Sequence, residues 1–535
     1  MLFSLLLLCS PAACVNSDIT SPASKAVALV ADSVGRSETA VDRLFAVSRE
    51  GNQTKTRVEL PRVILDFPFP EMTGRTINVK AGDNLQSALN RARRGDEIVL
   101  EASAQFTGNF TLPSLRGSAR DGWVVIRGSK SERLPELGTR VSMQDGMLMP
   151  AIITPNTDPA IRFEAGASGW RLVGLEVTAS PAVTRQQYGL IFVGENSQKQ
   201  STLESVPSDI VLDRMYIHGQ ASTNLSRCVA LNSARTQVSD SYITECHGKD
   251  FDSQAIWGGN GPGPFRIVNN YLAGAGENIM FGGTDPKIPG LVPSDIEIRN
   301  NYIHTPLAWR GTWQRKNLFE LKNASRMLIE GNVFDGSWSD AQTGWAIIMK
   351  SANQGGDCRW CRTTDITFRK NLIRNAGAGF NITGKGDNPN VDTTARRILI
   401  QESVFENIGV APYRGDRRGF QFLGNAEDIT VEHTVLSGSL SAALWLDNRR
   451  PAKGLVFRDN VWQHGQYGAM TSGRGTGTPS LTVGAPGAVW EKMIFVGNRR
   501  SAYPIGTGFV SDEHDASTSV RVRAAVAAAT AGVVR

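Results

Sequence analysis

One pattern recurs nine times along this chain and restricts what the chain can build. Each copy is a short alternation of apolar and polar residues, interrupted at a corner and resumed at once by two apolar residues. "PSDIEIRNNYIH" (293–304) shows it in full. With the anchor taken three residues before the end of the break, copies fall at Leu212, Val238, Ile267, Ile298, Ile329, Phe368, Ile400, Val431 and Phe457. The intervals are 26, 29, 31, 31, 39, 32, 31 and 26 residues. Four and five positions after the anchor all nine copies are apolar or aromatic, from Tyr216/Ile217 through Tyr302/Ile303 to Val461/Trp462. Two positions before it eight of nine are apolar, Thr236 being the exception. A weaker copy, "WRLVGLEV", precedes them at 170–177.

A period near 30 that varies by insertion is the mark of a solenoid. The windows alternate by two, are rich in Val, Ile, Tyr and Phe, and are cut by Gly and Asn, which excludes a helical repeat. Leucine-rich spacing is absent. The fold class expected is all-β, a single-stranded right-handed parallel β-helix with an N-terminal capping helix. Length alone, 535 residues, would suggest about three domains. The 54 glycines and the unbroken repeat argue for one long architecture instead.

The corner then explains the doubled Asn. Asn270, Asn301, Asn332, Asn371 and Asn460 sit three after their anchors, with Ser241, Ser403 and Thr434 in the same place elsewhere. Asn tolerates the unusual backbone angle expected of a corner residue. Its amide can also bond to the copies above and below, forming a ladder.

The ends need covers, because an open coil exposes core and strand edges. "AGDNLQSALNRARRGDEIVL" (81–100) reads as an N-terminal cap: Asp83 caps a helix with apolar face Leu85, Ala88, Leu89 and Ala92, and Gly95 ends it. "SVRVRAAVAAATAGVV" (519–534) reads as a helix closing the last coil. The domain reading is a leader at 1–14, a flexible segment and entry to the cap at 15–75, the β-helix at 76–515, and a capping helix or tail at 516–535.

"MLFSLLLLCSPAACVNSD" (1–18) reads as an export signal, too short to span a bilayer. "SPAAC" resembles a bacterial lipobox ending at Cys14, which implies a lipid tether and places the protein outside the cell or in the cell envelope. Net charge is +6. A mild positive excess suits an acidic polysaccharide, and also an ordinary Arg-rich surface; no nucleic-acid partner is expected. Of the six cysteines, Cys358 and Cys361 lie in the 39-residue interval, where a local disulfide is expected rather than zinc. Cys228 and Cys246 read as buried thiols or a second bridge.

Each coil carries a further strand before the repeat element: "LFELKN" (318–323), "AIIMKS" (346–351), "FNITGK" (380–385), "FQFLGN" (420–425) and "ALWLDN" (443–448), among others. Aligned at the following turn, Phe281, Leu321, Met349, Ile382, Phe422 and Leu446 point inward. Glu320, Lys322, Lys350, Asn381, Thr383, Gln421, Trp445 and Asp447 point outward on one face. Asn381, Gln421, Trp445 and Asp447 are candidates to hold a sugar chain, with Trp445 as a platform. Arg310 and Trp313, in "LAWRGTWQRKN" (307–317), are candidates to clamp it. Lys322 and Lys350 occupy matching slots, so two ammonium groups would stand one rung apart, about 4.8 Å.

The N-terminal stretch and its continuation, "FTGNFTLP" and "DGWVVIRGS", resemble the opening of pectate-lyase-like β-helix proteins, over roughly residues 76–465. "FELKNASRMLIEGN" and "WAIIMKSANQ" further resemble the alginate lyase and chondroitinase B family. That resemblance implies a polysaccharide lyase acting by β-elimination on a uronic-acid polymer, with Lys322 as base, Lys350 in place of the family's Arg acid, and a calcium ion near Glu320. Lys for Arg and the closeness of Glu320 to Lys322 depart from the family pattern. Clustered aspartates of polygalacturonase type are missing, as are the "WxDH" and "RxPxxR" elements of common pectate lyases. The rival readings are a non-catalytic glycan-binding or structural surface protein, and a uronate epimerase.

Overall fold

The computed structural model describes residues 57–386, 390–497, 502–503, 509–510 and 516–534. The leader, including Cys14, lies outside them. Among the described residues the chain winds through three sheets of 14, 14 and 13 strands. Each sheet pairs strands that follow one another once per coil. Pairing is parallel throughout, except where Ala469–Thr471 meets Gly475–Thr476. The anchors form the first sheet, the residue pairs after the corner form the second, and the "LFELKN"-type segments form the third. Ile267, Ile298 and Ile329 stand in register on consecutive rungs. The anchors and their inward partners, such as Ile303, Leu321 and Phe334, are fully buried in one continuous core. Each such side chain contributes roughly 1.5–3 kcal/mol of apolar burial.

The Asn ladder is present. Asn270, Asn301, Asn332 and Asn371 are buried, and each of the first three donates its side-chain amide to the next Asn Oδ1 at 3.0 Å. The unusual backbone angle belongs to a different residue. In all nine copies it is the position before the ladder that adopts positive φ: Arg214, Asp240, Asn269, Asn300, Gly331, Lys370, Glu402, His433 and Asp459, between 48° and 66°. The left-handed residue makes the bend, and the bend turns the next side chain inward, where Met215 packs into the core in the first copy and a buried Ser, Thr or Asn sits in the other eight.

Both caps differ from the sequence reading in detail. Helix α1 (Leu85–Arg91) is capped by Asn84, whose Oδ1 accepts from Ser87 N at 2.9 Å. Asp83 instead accepts from Lys80 N in the preceding turn, and Gly95 lies beyond the helix end. Helix α2 (Thr478–Gly484) closes the other end, with Leu481 and Ala485 joining the main core. The C-terminal helix α3 (Ala516–Ala529) does not close the coil. Val522 and Val526, one helical turn apart, pack on Val404 and Val435 of the second sheet's outer face. That single apolar stripe suits a flank better than an open core end.

Residues 57–75 are likewise not a free leader. Glu59 N donates to Asp365 and Arg62 N to Asp295, while Phe67 and Pro68 carbonyls accept from Arg171. The segment is laid along the first sheet, where Asp295–Arg326 and Asp365–Arg397 pairs bridge adjacent rungs. Cys358–Cys361 and Cys228–Cys246 both form disulfides. No helix among the described residues is long and apolar enough to cross a membrane.

Candidate functional site

The outer face of the third sheet carries the chemistry. Strand register aligns Trp257, Met280, Glu320, Ile348, Asn381, Gln421 and Trp445 along one row. Phe319, Leu321 and Met349 alternate with this row and point into the core, which forces Glu320 outward. Lys322 follows Leu321 just past the strand, and Ala352 N bonds to its carbonyl at 3.0 Å. Lys322 therefore lies beside Lys350, as the alignment of the two strands requires.

The lysines meet on one carboxylate. Glu320 Oε1 lies 3.6 Å from Lys322 Nζ and 3.3 Å from Lys350 Nζ. Its other oxygen accepts from Asn317 Nδ2 at 2.9 Å. Burial pushes the Glu320 carboxyl up, but the two ammonium groups and the Asn317 bond outweigh it and hold the group below its ordinary range. The expected repulsion between the lysines is thus offset by a negative charge placed between them.

A second carboxylate, Glu277, lies one coil away in strand Glu277–Phe281. It accepts from Gln254 Nε2 at 2.7 Å and lies 3.7 Å from Lys316 Nζ, which also pairs with Asp252. Complete burial, then the charges of Glu320 and Asp252, push Glu277 up to about 8. The two carboxyls are therefore shifted in opposite directions, Glu320 down and Glu277 up.

Loop 307–317 shapes this region in an unexpected way. Trp313 does not face a groove: it is buried and stacked on His247 at 3.7 Å. Arg310 is exposed and donates to Pro412 O at 2.9 Å. The loop's contribution is Lys316 and Asn317, positioned by buried Arg315, which donates to the carbonyls of Ala275, Gly276, Asn317 and Gly336. Trp445 is also less open than expected, since the Arg418 guanidinium covers its ring at 3.6 Å.

Beyond the triad a cleft of about 580 Å³ opens on the same face, lined by Lys350, Asn381, Thr383, Gln421, Asp447 and Arg450 among others. Asn381, Gln421 and Asp447 are thereby brought together with Lys350. On the other side a smaller cleft of about 420 Å³ includes Arg227, Trp257 and Gly283. The triad lies between the two. Sequence reasoning placed the lysines and Glu320 but missed Glu277 as their neighbour, the anchor Arg315, and the second cleft. The signal was there in "QAIWGG" (254–259) and "NIMFGG" (278–283), whose outward Trp257 and paired glycines align with the "LFELKN" strand.

Calcium does not fit the Glu320 position. The carboxylate faces two ammonium groups, and no group of three or more His, Cys, Asp or Glu gathers as a metal site among the described residues.

No known family profile matches the chain, and no curated protein does. Solved structures do. The catalytic domain of a GH87 α-1,3-glucanase in complex with tetrasaccharides is similar at TM-score 0.50 and 14% identity, covering 82% of this chain and 70% of that one. A mannuronic-acid-specific polysaccharide family 6 lyase from human gut microbiota gives 0.47 and 11%, covering 84% and 94%. Pectate lyase Pel9A gives 0.40 and 12%, covering 67% and 78%. At these identities the likeness is one of fold. The chain is a right-handed parallel β-helix.

Proposed function

We propose that this protein is an exported carbohydrate-active enzyme, a lyase that cleaves an acidic polysaccharide by β-elimination at Lys322, Glu320 and Lys350. The observation that carries the reading is the placing of two lysines on one buried carboxylate between two clefts of a single face. The row from Trp257 to Trp445 spans six rungs, about 29 Å, room for several linked sugars.

One carboxylate balances one ammonium. For this pair to act, Lys322 must give its proton to solvent before it takes one from substrate, while Lys350 keeps its own; that sets a base beside an acid. In the proposed step the Lys322 amine takes the C5 proton of a uronate ring. The C5–H electron pair becomes the C4–C5 double bond, the C4–O bond breaks, and the leaving oxygen takes a proton from the Lys350 ammonium. The positive field of Lys350 also steadies the charge that grows on the uronate carboxylate. The apolar run at the N-terminus supports export, with Cys14 as an attachment point for lipid.

The test is incubation with alginate, pectate and glycosaminoglycans, followed by the ultraviolet absorbance of the unsaturated product. A signal that Lys322→Ala abolishes supports the reading. No signal on the whole panel, or an unchanged rate in Lys322→Ala, overturns it in favour of a glycan-binding protein.

A further inference from the structure

The smaller cleft holds an arginine with no anion. The Arg227 guanidinium carbon sits 4.2 Å above the Trp257 ring, and the ring is pinned by its Nε1 donating to Gly282 O at 3.0 Å. Arg162 nearby is already paired with Glu195 at 3.0 Å, and Arg418 further up the face with Asp416 at 3.5 Å. Among the described residues no carboxylate comes within 4.0 Å of Arg227, and its Nε has no hydrogen-bond partner. The charges that reach it, Asp252 and Glu277, both sit against Lys316. A mostly buried guanidinium normally has an anion to offset its desolvation. Here the planar group is held by an aromatic face while its anion position is left open.

The surrounding groups fit a sugar. Asn196 Nδ2 donates to Thr284 Oγ1 at 2.7 Å, whereas its Oδ1 lacks a donor. The cleft wall toward the triad is Gly283, where an added Cβ would stand 3.6 Å from Lys322 Nζ. Gly283 and the Met280 side chain that packs against it stand between the cleft and the lysine. Trp257 and Glu320 are two rungs apart, about 10 Å, close to the reach of two linked sugar rings.

We infer that this cleft is an anionic sugar subsite in which Arg227 pairs with the carboxylate or sulfate ester of a ring, and Asn196 accepts from one of its hydroxyls. It selects polymers charged near the bond that meets Lys322. Only this spacing rests on the proposed function; the anion site itself does not.

The experiment is binding by calorimetry, at low and high salt, of three oligosaccharides: a carboxylated alginate oligomer, a sulfated carrageenan oligomer and a neutral laminarin oligomer. Wild type is expected to bind one anionic oligomer and not the neutral one, more weakly in high salt. Arg227→Gln is expected to lose about tenfold or more of that affinity, since a hydrogen-bonded charge pair is removed. Arg227→Lys, which keeps the charge but not the planar fork, recovers only part of it. Which oligomer responds tells carboxylate from sulfate. Equal affinity in Arg227→Gln, equal binding of the neutral oligomer, or no binding by wild type overturns the subsite. Loss of turnover with Arg227-dependent binding intact would overturn the proposed lyase and leave the subsite standing. Arg227→Gln is melted beside wild type, and an unchanged melting temperature shows that its lost affinity is not a folding defect.

Discussion

The side-chain amide of Asn301 donates to Oδ1 of Asn332 at 3.0 Å, from one coil to the next. The same amide donates to Ile267 O at 2.9 Å, and its oxygen accepts from both nitrogens of Asn270. Asn301→Ala removes all four bonds and leaves their partners buried and unsatisfied. We expect a loss of roughly 2–4 kcal/mol, read as a lower melting temperature. Asn300→Gly, one residue earlier at an exposed bend, serves as the control and should cost less than about 0.5 kcal/mol. Equal losses at the two positions would show that the ladder carries no special load.

The bend itself can be tested at Lys370, where φ is 54°. An L side chain with a β-carbon is strained there, and glycine is not. Lys370→Gly keeps the bond from its N–H to Gln401 O and should raise stability by about 0.5–1 kcal/mol in chemical denaturation. A loss instead would mean that the Lys370 side chain matters more than the strain.

These two positions show how far sequence reaches in this fold. The ladder residues were legible because burial of a polar group at a fixed place in each coil demands the same few residue types. The bend was not, because Arg, Asp, Asn, Gly, Lys, Glu and His all occupy it, and no type fills more than two of the nine positions. Lys322, Lys350 and Glu320 were legible as an outward row because their strands alternate with apolar neighbours. Glu277 and Arg315 were not, since their partners come from a loop whose path no periodicity describes. The same limit applied to α3, whose length and alanine content fit a cap as well as a flank.

Glu277 supplies a pH-dependent prediction. Its carboxyl is pushed up to about 8 by burial and by the charges of Glu320 and Asp252, against an ordinary value of about 4.3 for an unfolded chain. Between these values the folded protein holds a proton that the unfolded chain has released. The folded state binds more protons there, so stability from this group falls as pH rises through the window. Glu277→Gln removes the titration while keeping the shape. Its melting temperature should gain on wild type steadily between about pH 5 and pH 8. Parallel pH profiles for the two proteins would exclude a protonated Glu277. Glu320 acts in a separate, more acid window, because its carboxyl is held below the ordinary range; its contribution is lost only as pH falls through that lowered value.

The shared carboxylate distinguishes a working triad from a merely structural one. Glu320 is 1% exposed and stands between two lysines that still reach solvent, at 15% and 19%. Glu320→Gln leaves two ammonium groups one rung apart with no charge between them. The stability cost should be about 2–3 kcal/mol, below the figure for a fully buried pair because the lysines can turn toward water. Under the proposed elimination, Lys322→Ala should lower kcat by about 10²–10⁴ with a modest change in KM, the range expected for loss of a general base. Lys350→Arg preserves a cation and a proton donor and should keep more activity than Lys350→Ala, which loses both. If the lysines only brace the sheet, all three variants would melt lower and yet turn over substrate at the wild-type rate below their melting temperatures. That outcome would remove the triad from the chemistry. The opposite one, rates that fall in variants whose melting is unchanged, is what a base and an acid held on one carboxylate require.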